Sequence, residues 1–91
     1  VKDGFDFDPQ SLDSLADESV AAVVPTAIAG LPADTGLLKE LSAKYGFFIV
    51  EDAAQALGAR REGLPLGADA DLVVYSLAVG KGLSLYDGGI I

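Results

Sequence analysis

Residues 47–50 read Phe-Phe-Ile-Val, and the next two are Glu51 and Asp52. Four apolar residues in a row, without alternation, fit a strand covered on both faces, as in the middle of a parallel sheet. Two further runs share the pattern: Val20–Val24, closed by Pro25, and Asp71–Tyr75, DLVVY. Parallel strands need a crossover between them. The segment between the first two runs provides one. Asp34 or Thr35 caps a helix with Leu37, Leu38, Leu41 and Tyr45 on its core side, and Gly46 stops it. The expected class is α/β, with a mostly parallel sheet.

The remaining elements follow from local signals. Asp8-Pro9 reads as an N-cap and first helical residue, with Leu12, Leu15 and Ala16 forming the apolar face of a short helix over 9–17. Residues 26–32 are a loop, 53–57 a short helical turn, and 59–67 (ARREGLPLG) a small hairpin or pair of turns. A glycine-containing loop spans 76–87, and a fourth strand begins at Gly88. In open α/β sheets ligands gather beyond the carboxyl ends of the strands. Those ends are Pro25-Thr26, Glu51-Asp52 and Ser76.

With 91 residues, of which 51% are hydrophobic, the chain expects a larger core than one small domain can build alone. It begins at Val1 and stops inside the strand-like Gly88–Ile91, so residues 1–91 are expected to be part of a longer protein. Fourteen acidic and six basic residues give a net charge of −8, which would repel a nucleic acid or an anionic membrane surface. The absence of cysteine and histidine removes disulfides, thiolate chemistry, imidazole bases and nearly every zinc site. No apolar run approaches the about 18 residues of a membrane span. A cytoplasmic protein without metal is the expectation.

Three residues stand where chemistry could occur. Asp52 has an ordinary role available as an N-cap for residues 53–57, while Glu51, on the other side of the strand, is expected to be a solvated or salt-bridged neighbour. Lys81 lies between two glycines in SLAVGKGLS; it is either an exposed loop lysine or an amine made nucleophilic by Leu77, Ala78, Val79 and Leu83 around it. GKGLS resembles the end of a phosphate-binding P-loop, but the earlier glycine which that motif requires is absent. Ser76 can satisfy backbone groups in its turn or donate to a phosphate. Together, a strand-end carboxylate, a strand-end serine and a lysine five residues beyond it offer an anion for a cationic ring nitrogen, a phosphate donor and an amine for an aldehyde. Those are the needs of pyridoxal 5′-phosphate (PLP).

On GLPAD at 30–34, YGFFIVEDAAQALGA at 45–59, GLPLGADADLVVYS at 63–76 and KGLS with DGGII at 81–91, the chain resembles the DegT/DnrJ/EryC1/StrS sugar aminotransferases of PLP fold type I. FDFDPQSLDSL at 5–15 is similar to the segment before the family's first strand in this region. The resemblance implies part of a PLP-binding large domain, with the N-terminal phosphate loop and the C-terminal small domain outside these residues. It implies that Asp52 would pair with the pyridine nitrogen and that Gln55 would lie near the ring's 3-hydroxyl. Ala54 would leave room for the ring, Ser76 would hold the phosphate, and Lys81 would bind the aldehyde and shuttle a proton. Family members commonly carry a histidine where Ala27 stands, and N-L-T-x-G-E-G-G where this chain has G-L-S-L-Y-D-G-G.

The activity implied is transfer of an amino group, from glutamate, to a nucleotide-linked keto-sugar by a homodimer. The 91-residue piece alone is expected to be inactive. Related sugar dehydratases carry histidine in place of the lysine, against which Lys81 argues; a non-catalytic domain retaining the fold is the remaining alternative.

Overall fold

Strand β2, Phe48–Asp52, lies between two parallel neighbours, and the other elements are arranged around it. The structure, a computed structural model, describes residues 6–91; Phe5 of the FDFDPQSLDSL segment lies outside them. In chain order the elements are α1 (Pro9–Leu15), β1 (Ala22–Val23), α2 (Thr35–Tyr45), β2, β3 (Arg60–Arg61), β4 (Leu64–Pro65), β5 (Leu72–Ser76) and β6 (Gly89–Ile90). The main sheet runs β1-β2-β5-β6. Its first three strands are parallel, and β6 returns antiparallel to β5, pairing Tyr75 with Ile90 and Ser76 with Gly89.

The helices form where capping chemistry and apolar spacing agree. Asp8 caps α1, its carboxylate accepting from the Ser11 N–H at 3.1 Å and from Ser11 Oγ at 2.6 Å. The bond from the Ser11 hydroxyl, then that from its amide, holds the Asp8 carboxyl below the usual aspartate range. Helix α1 ends at Leu15, two residues short of expectation, when Ala16 turns extended and buries its methyl. Helix α2 ends at Gly46 with φ of 82°, the left-handed closure that glycine takes without penalty. Asp34 occupies its N-cap position but makes no capping bond; it lies 3.4 Å from Arg61 instead.

Both helices pack against one face of the sheet. Leu38, Leu41, Phe47, Ile49 and Ala16 form that core. The other face is open: Phe48 is 64% exposed, Val24 57% and Leu72 51%. The expectation that these strands are covered on both sides is therefore met on one side only, because no described helix crosses to the second face.

Residues 53–57 form consecutive turns rather than a helix. Asp52 Oδ1 accepts from the Ala54 N–H at 3.0 Å, and Ala56 and Ala59 each bond back three residues, to Ala53 and Ala56. Gly58, with φ of 81°, ends the segment before a helix can propagate. The expected hairpin is β3–β4, closed by Glu62 and Gly63, both with positive φ, as a tight two-residue hairpin turn demands.

Glu51 corrects the expectation of a solvated or salt-bridged side chain, being only 2% exposed. Strand alternation turns it to the covered face, where its Oε2 accepts from the Gly67 N–H at 2.6 Å. The same contact seats the turn after β4 against β5. A Cβ on Gly67 would stand 2.9 Å from Val73 Cγ1, and Gly67 has φ of +86°. Gly67→Ala should cost about 1–3 kcal/mol of stability in the intact protein, from backbone strain and overpacking. Urea denaturation reads this as a lower midpoint; an unchanged midpoint would mean that the turn lifts off β5 without penalty.

Candidate active site

The main chain around Asp52 is gripped on both sides. Its N–H donates to Pro25 O and its carbonyl accepts from the Ala27 N–H, both at 2.9 Å; the next N–H, of Ala53, donates to Val74 O at 2.9 Å. The last residue of β2 thus has little freedom to move relative to β1 or β5. Ala53 is fully buried beside Ala27, Ala56 and Leu66. Only small side chains fit so close to where the strands end, so the alanines after the acid are packing residues as well as spacers.

Asp52 pairs in register with Val74, so Ser76, two residues on in β5, shares its face of the sheet at the carboxyl end. Both residues are half-buried, and both perform the local roles open to them. Asp52 Oδ1 holds the Ala54 N–H, and Ser76 Oγ accepts from the Ala78 N–H at 3.3 Å. Neither role exhausts its residue. Asp52 Oδ2 makes no hydrogen bond among the described residues, and the Ser76 hydroxyl proton stays available to donate.

Lys81 reaches the same end of the molecule by a different route. A loop from Leu77 to Asp87 leaves β5 and returns to β6, and the Lys81 N–H closes a turn on Ala78 O at 3.2 Å. The lysine lines a groove of about 280 Å³ with Ala54, Gln55, Leu57, Gly80 and Gly82. Three of the five candidate residues, Ala54, Gln55 and Lys81, are therefore brought together, while Asp52 and Ser76 stand at the adjoining strand ends. The apolar seat expected around Lys81 is only partly made. Leu77 is buried, but Val79 is 69% and Leu83 49% exposed, because the loop tip lies over the turn at 54–57 and none of the described residues covers its far side.

Two contacts around the site join residues far apart in the chain. Gln55 Oε1 accepts from the Ala29 N–H at 2.9 Å, tying the 54–57 turn to a loop 26 residues earlier. Asp71 Oδ2 accepts from the Ile49 N–H at 2.7 Å, fastening the start of β5 to β2. The Ala29 contact joins a backbone group to a distant amide, and nothing in TAIAG marks it. The Asp71 contact had a signal: an acid at the very start of an apolar run. A second pocket, of about 110 Å³, borders Glu51 and Arg61. Its guanidinium is already engaged by Pro32 O at 2.9 Å and by Asp6 and Asp34 at 3.4 Å each.

A sequence profile of the DegT/DnrJ/EryC1/StrS aminotransferase family matches residues 1–91. The chain belongs to that family. It is 39% identical over 85 residues to the dTDP-3-amino-3,4,6-trideoxy-alpha-D-glucose transaminase of Streptomyces venezuelae, covering 92% of this chain and 22% of the relative. It is 36% identical to the erythromycin biosynthesis sensory transduction protein EryC1 of Saccharopolyspora erythraea, covering 92% and 23%. Among solved structures, S. venezuelae DesV in complex with a ketimine intermediate superposes with a TM-score of 0.82 at 39% identity, covering 91% of this chain and 23% of DesV. Spr1654 of Streptococcus pneumoniae, in its PLP form, gives 0.86 at 27% identity, covering 96% and 26%. The family is PLP-dependent, and its large-domain fold is the one seen here. The chain spans about a quarter or less of the length of these relatives.

Proposed function

We propose that this family member carries the central part of the cofactor site of a PLP-dependent sugar aminotransferase. The observation behind this reading is the groove shared by Lys81, Ala54 and Gln55, next to the strand-end Asp52 and Ser76. The donor set fits the cofactor. It contains an amine, an amide, a carboxylate with one oxygen to spare, and a hydroxyl able to donate. It also contains Ala54, small enough to admit a flat ring.

When bound, PLP contributes an aldehyde that takes up an amine and a ring that withdraws electrons from the reacting carbon. Asp52 would pair with the ring nitrogen and favour its protonated form. Its orientation is fixed by the bond to the Ala54 N–H, and a carboxylate among main-chain groups at a strand end favours a cation beside it. Ser76 would donate to the phosphate, and the Lys81 amine would hold the aldehyde carbon and move a proton at the substrate carbon. Glycines on both sides give it the backbone freedom for both tasks. The amino acceptor is a nucleotide-linked keto-sugar, as the sugar-nucleotide name of the S. venezuelae relative suggests, with glutamate as donor and a homodimer as the working form.

Two experiments on the intact, cofactor-loaded protein test these roles. Borohydride reduction followed by peptide mapping should place the label on Lys81, and Lys81→Ala should abolish transamination without unfolding. A label on Lys39 or Lys44 would refute the assignment. Asp52→Asn should still bind PLP, more weakly, and lower kcat roughly a hundredfold or more, since asparagine keeps the shape and removes the charge. Near-normal turnover would reduce Asp52 to a turn cap.

A further inference from the structure

The turn at residues 26–31 is unusual in its backbone. Ala29 has φ of 55° and ψ of 25°, a left-handed conformation that an alanine adopts at a cost of roughly 1–2 kcal/mol. The neighbouring amides are satisfied within the turn: Ile28 N–H to Thr26 O at 2.9 Å, Gly30 N–H to Ala27 O at 3.3 Å, and Leu31 N–H to Ile28 O at 3.0 Å. Of the four N–H groups from Ile28 to Leu31, that of Ala29 alone leaves the turn, donating to Gln55 Oε1 at 2.9 Å. The turn also lies against the residues it serves. The Ala27 N–H bonds Asp52 O, and a Cβ at Gly30 would stand 3.3 Å from Gln55 O.

A main-chain N–H can only donate, so it decides which end of the Gln55 amide faces it. The oxygen is turned toward the loop. The Nε2 end, which makes no hydrogen bond among the described residues, is left to the groove that Gln55 lines with Lys81. We infer that the 27–30 turn is a positioning element of the cofactor site, its Ala29 N–H holding Gln55 so that the amide presents donors, not its oxygen, to an oxyanion beside Lys81. This rests on the PLP reading above, in which that oxyanion is the ring's 3-oxygen. Were the amide free to flip, its oxygen would face the anion and repel it. Charged groups near Gln55 are Lys81 from the 77–87 loop and Asp52 from β2; the turn, Ala-Ile-Ala-Gly, brings none. The orientation of a neutral amide is then the variable that the turn sets.

The test replaces Ala29 by its α-hydroxy analogue in the intact protein, which puts an ester oxygen where the N–H stands. Two readouts apply: PLP affinity, and the pH midpoint of the bound cofactor's absorbance, which reports the proton held between the 3-oxygen and the Lys81 nitrogen. Losing a donor to the anion favours the protonated form, so the midpoint should rise by about one pH unit and PLP binding weaken about threefold to tenfold. Gln55→Glu, which keeps the acceptor for Ala29 but offers the groove a second carboxylate oxygen, should raise the midpoint further. The same ester replacement at Leu31 breaks a bond inside the turn and leaves Gln55 alone; its midpoint should stay with the unmodified protein. In the cofactor-free protein, Gln55→Ala should abolish hydrogen-exchange protection at the Ala29 amide. An unmoved midpoint in the Ala29 ester, or an equal shift in the Leu31 ester, overturns the inference while leaving the PLP reading intact. If the unmodified protein acquires no cofactor absorbance, the PLP reading fails and takes the inference with it.

Discussion

The structure depends on the hydrogen bonding at the end of β2. The amide and carbonyl of Asp52 reach toward β1, and the amide of Ala53 reaches toward β5. Thr26, beyond β1, and Val74 of β5 are therefore held level with the end of β2, and side chains that leave the sheet there are set by the ladder rather than by their own torsional preferences. A carboxylate in that place has its direction decided before any ligand arrives. The low mobility required of such a group comes from main-chain bonds, which point mutations in side chains leave in place.

Adjacent acids on this strand do unrelated work because a strand alternates. Glu51 turns inward and fastens the turn that follows the β3–β4 hairpin through Gly67; Asp52 turns outward to the open end. A register slip of one residue would exchange them, burying the carboxylate that stands on the open face and exposing the one that braces the sheet. The apolar partners enforce the register. Phe47 and Ile49 are nearly fully buried, whereas Phe48 between them is mostly exposed, so only one phase of the alternation buries the larger area.

What could be read from the residues was whatever is encoded locally. The leucine spacing of α2, its glycine stop, the Asp8-Pro9 start and the apolar strands each carry their own signal, and each formed within about two residues of where it was expected. The constellation of Asp52, Gln55, Ser76 and Lys81 was legible as a motif. Its assembly was not, because the Ala29–Gln55 bond and the burial of Glu51 are settled by partners 26 and 16 residues away. At residues 53–57 the Asp52 cap forms as its position suggests, but Gly58, with φ of 81°, keeps the segment to turns.

The loop that carries Lys81 is fastened at its base and little elsewhere. The Leu77 N–H donates to Gly88 O and its carbonyl accepts from the Leu85 N–H, both at 2.9 Å, and the Leu77 side chain is buried. One leucine thus acts as the pivot of a lever whose far arm ends in the amine. A small rotation at that pivot is magnified over the four residues to Lys81, so the reach of the amine is governed by how tightly an apolar pocket holds a residue with no chemistry of its own. Substitutions that loosen Leu77 would spread the positions of the amine, and would register as a disordered nucleophile.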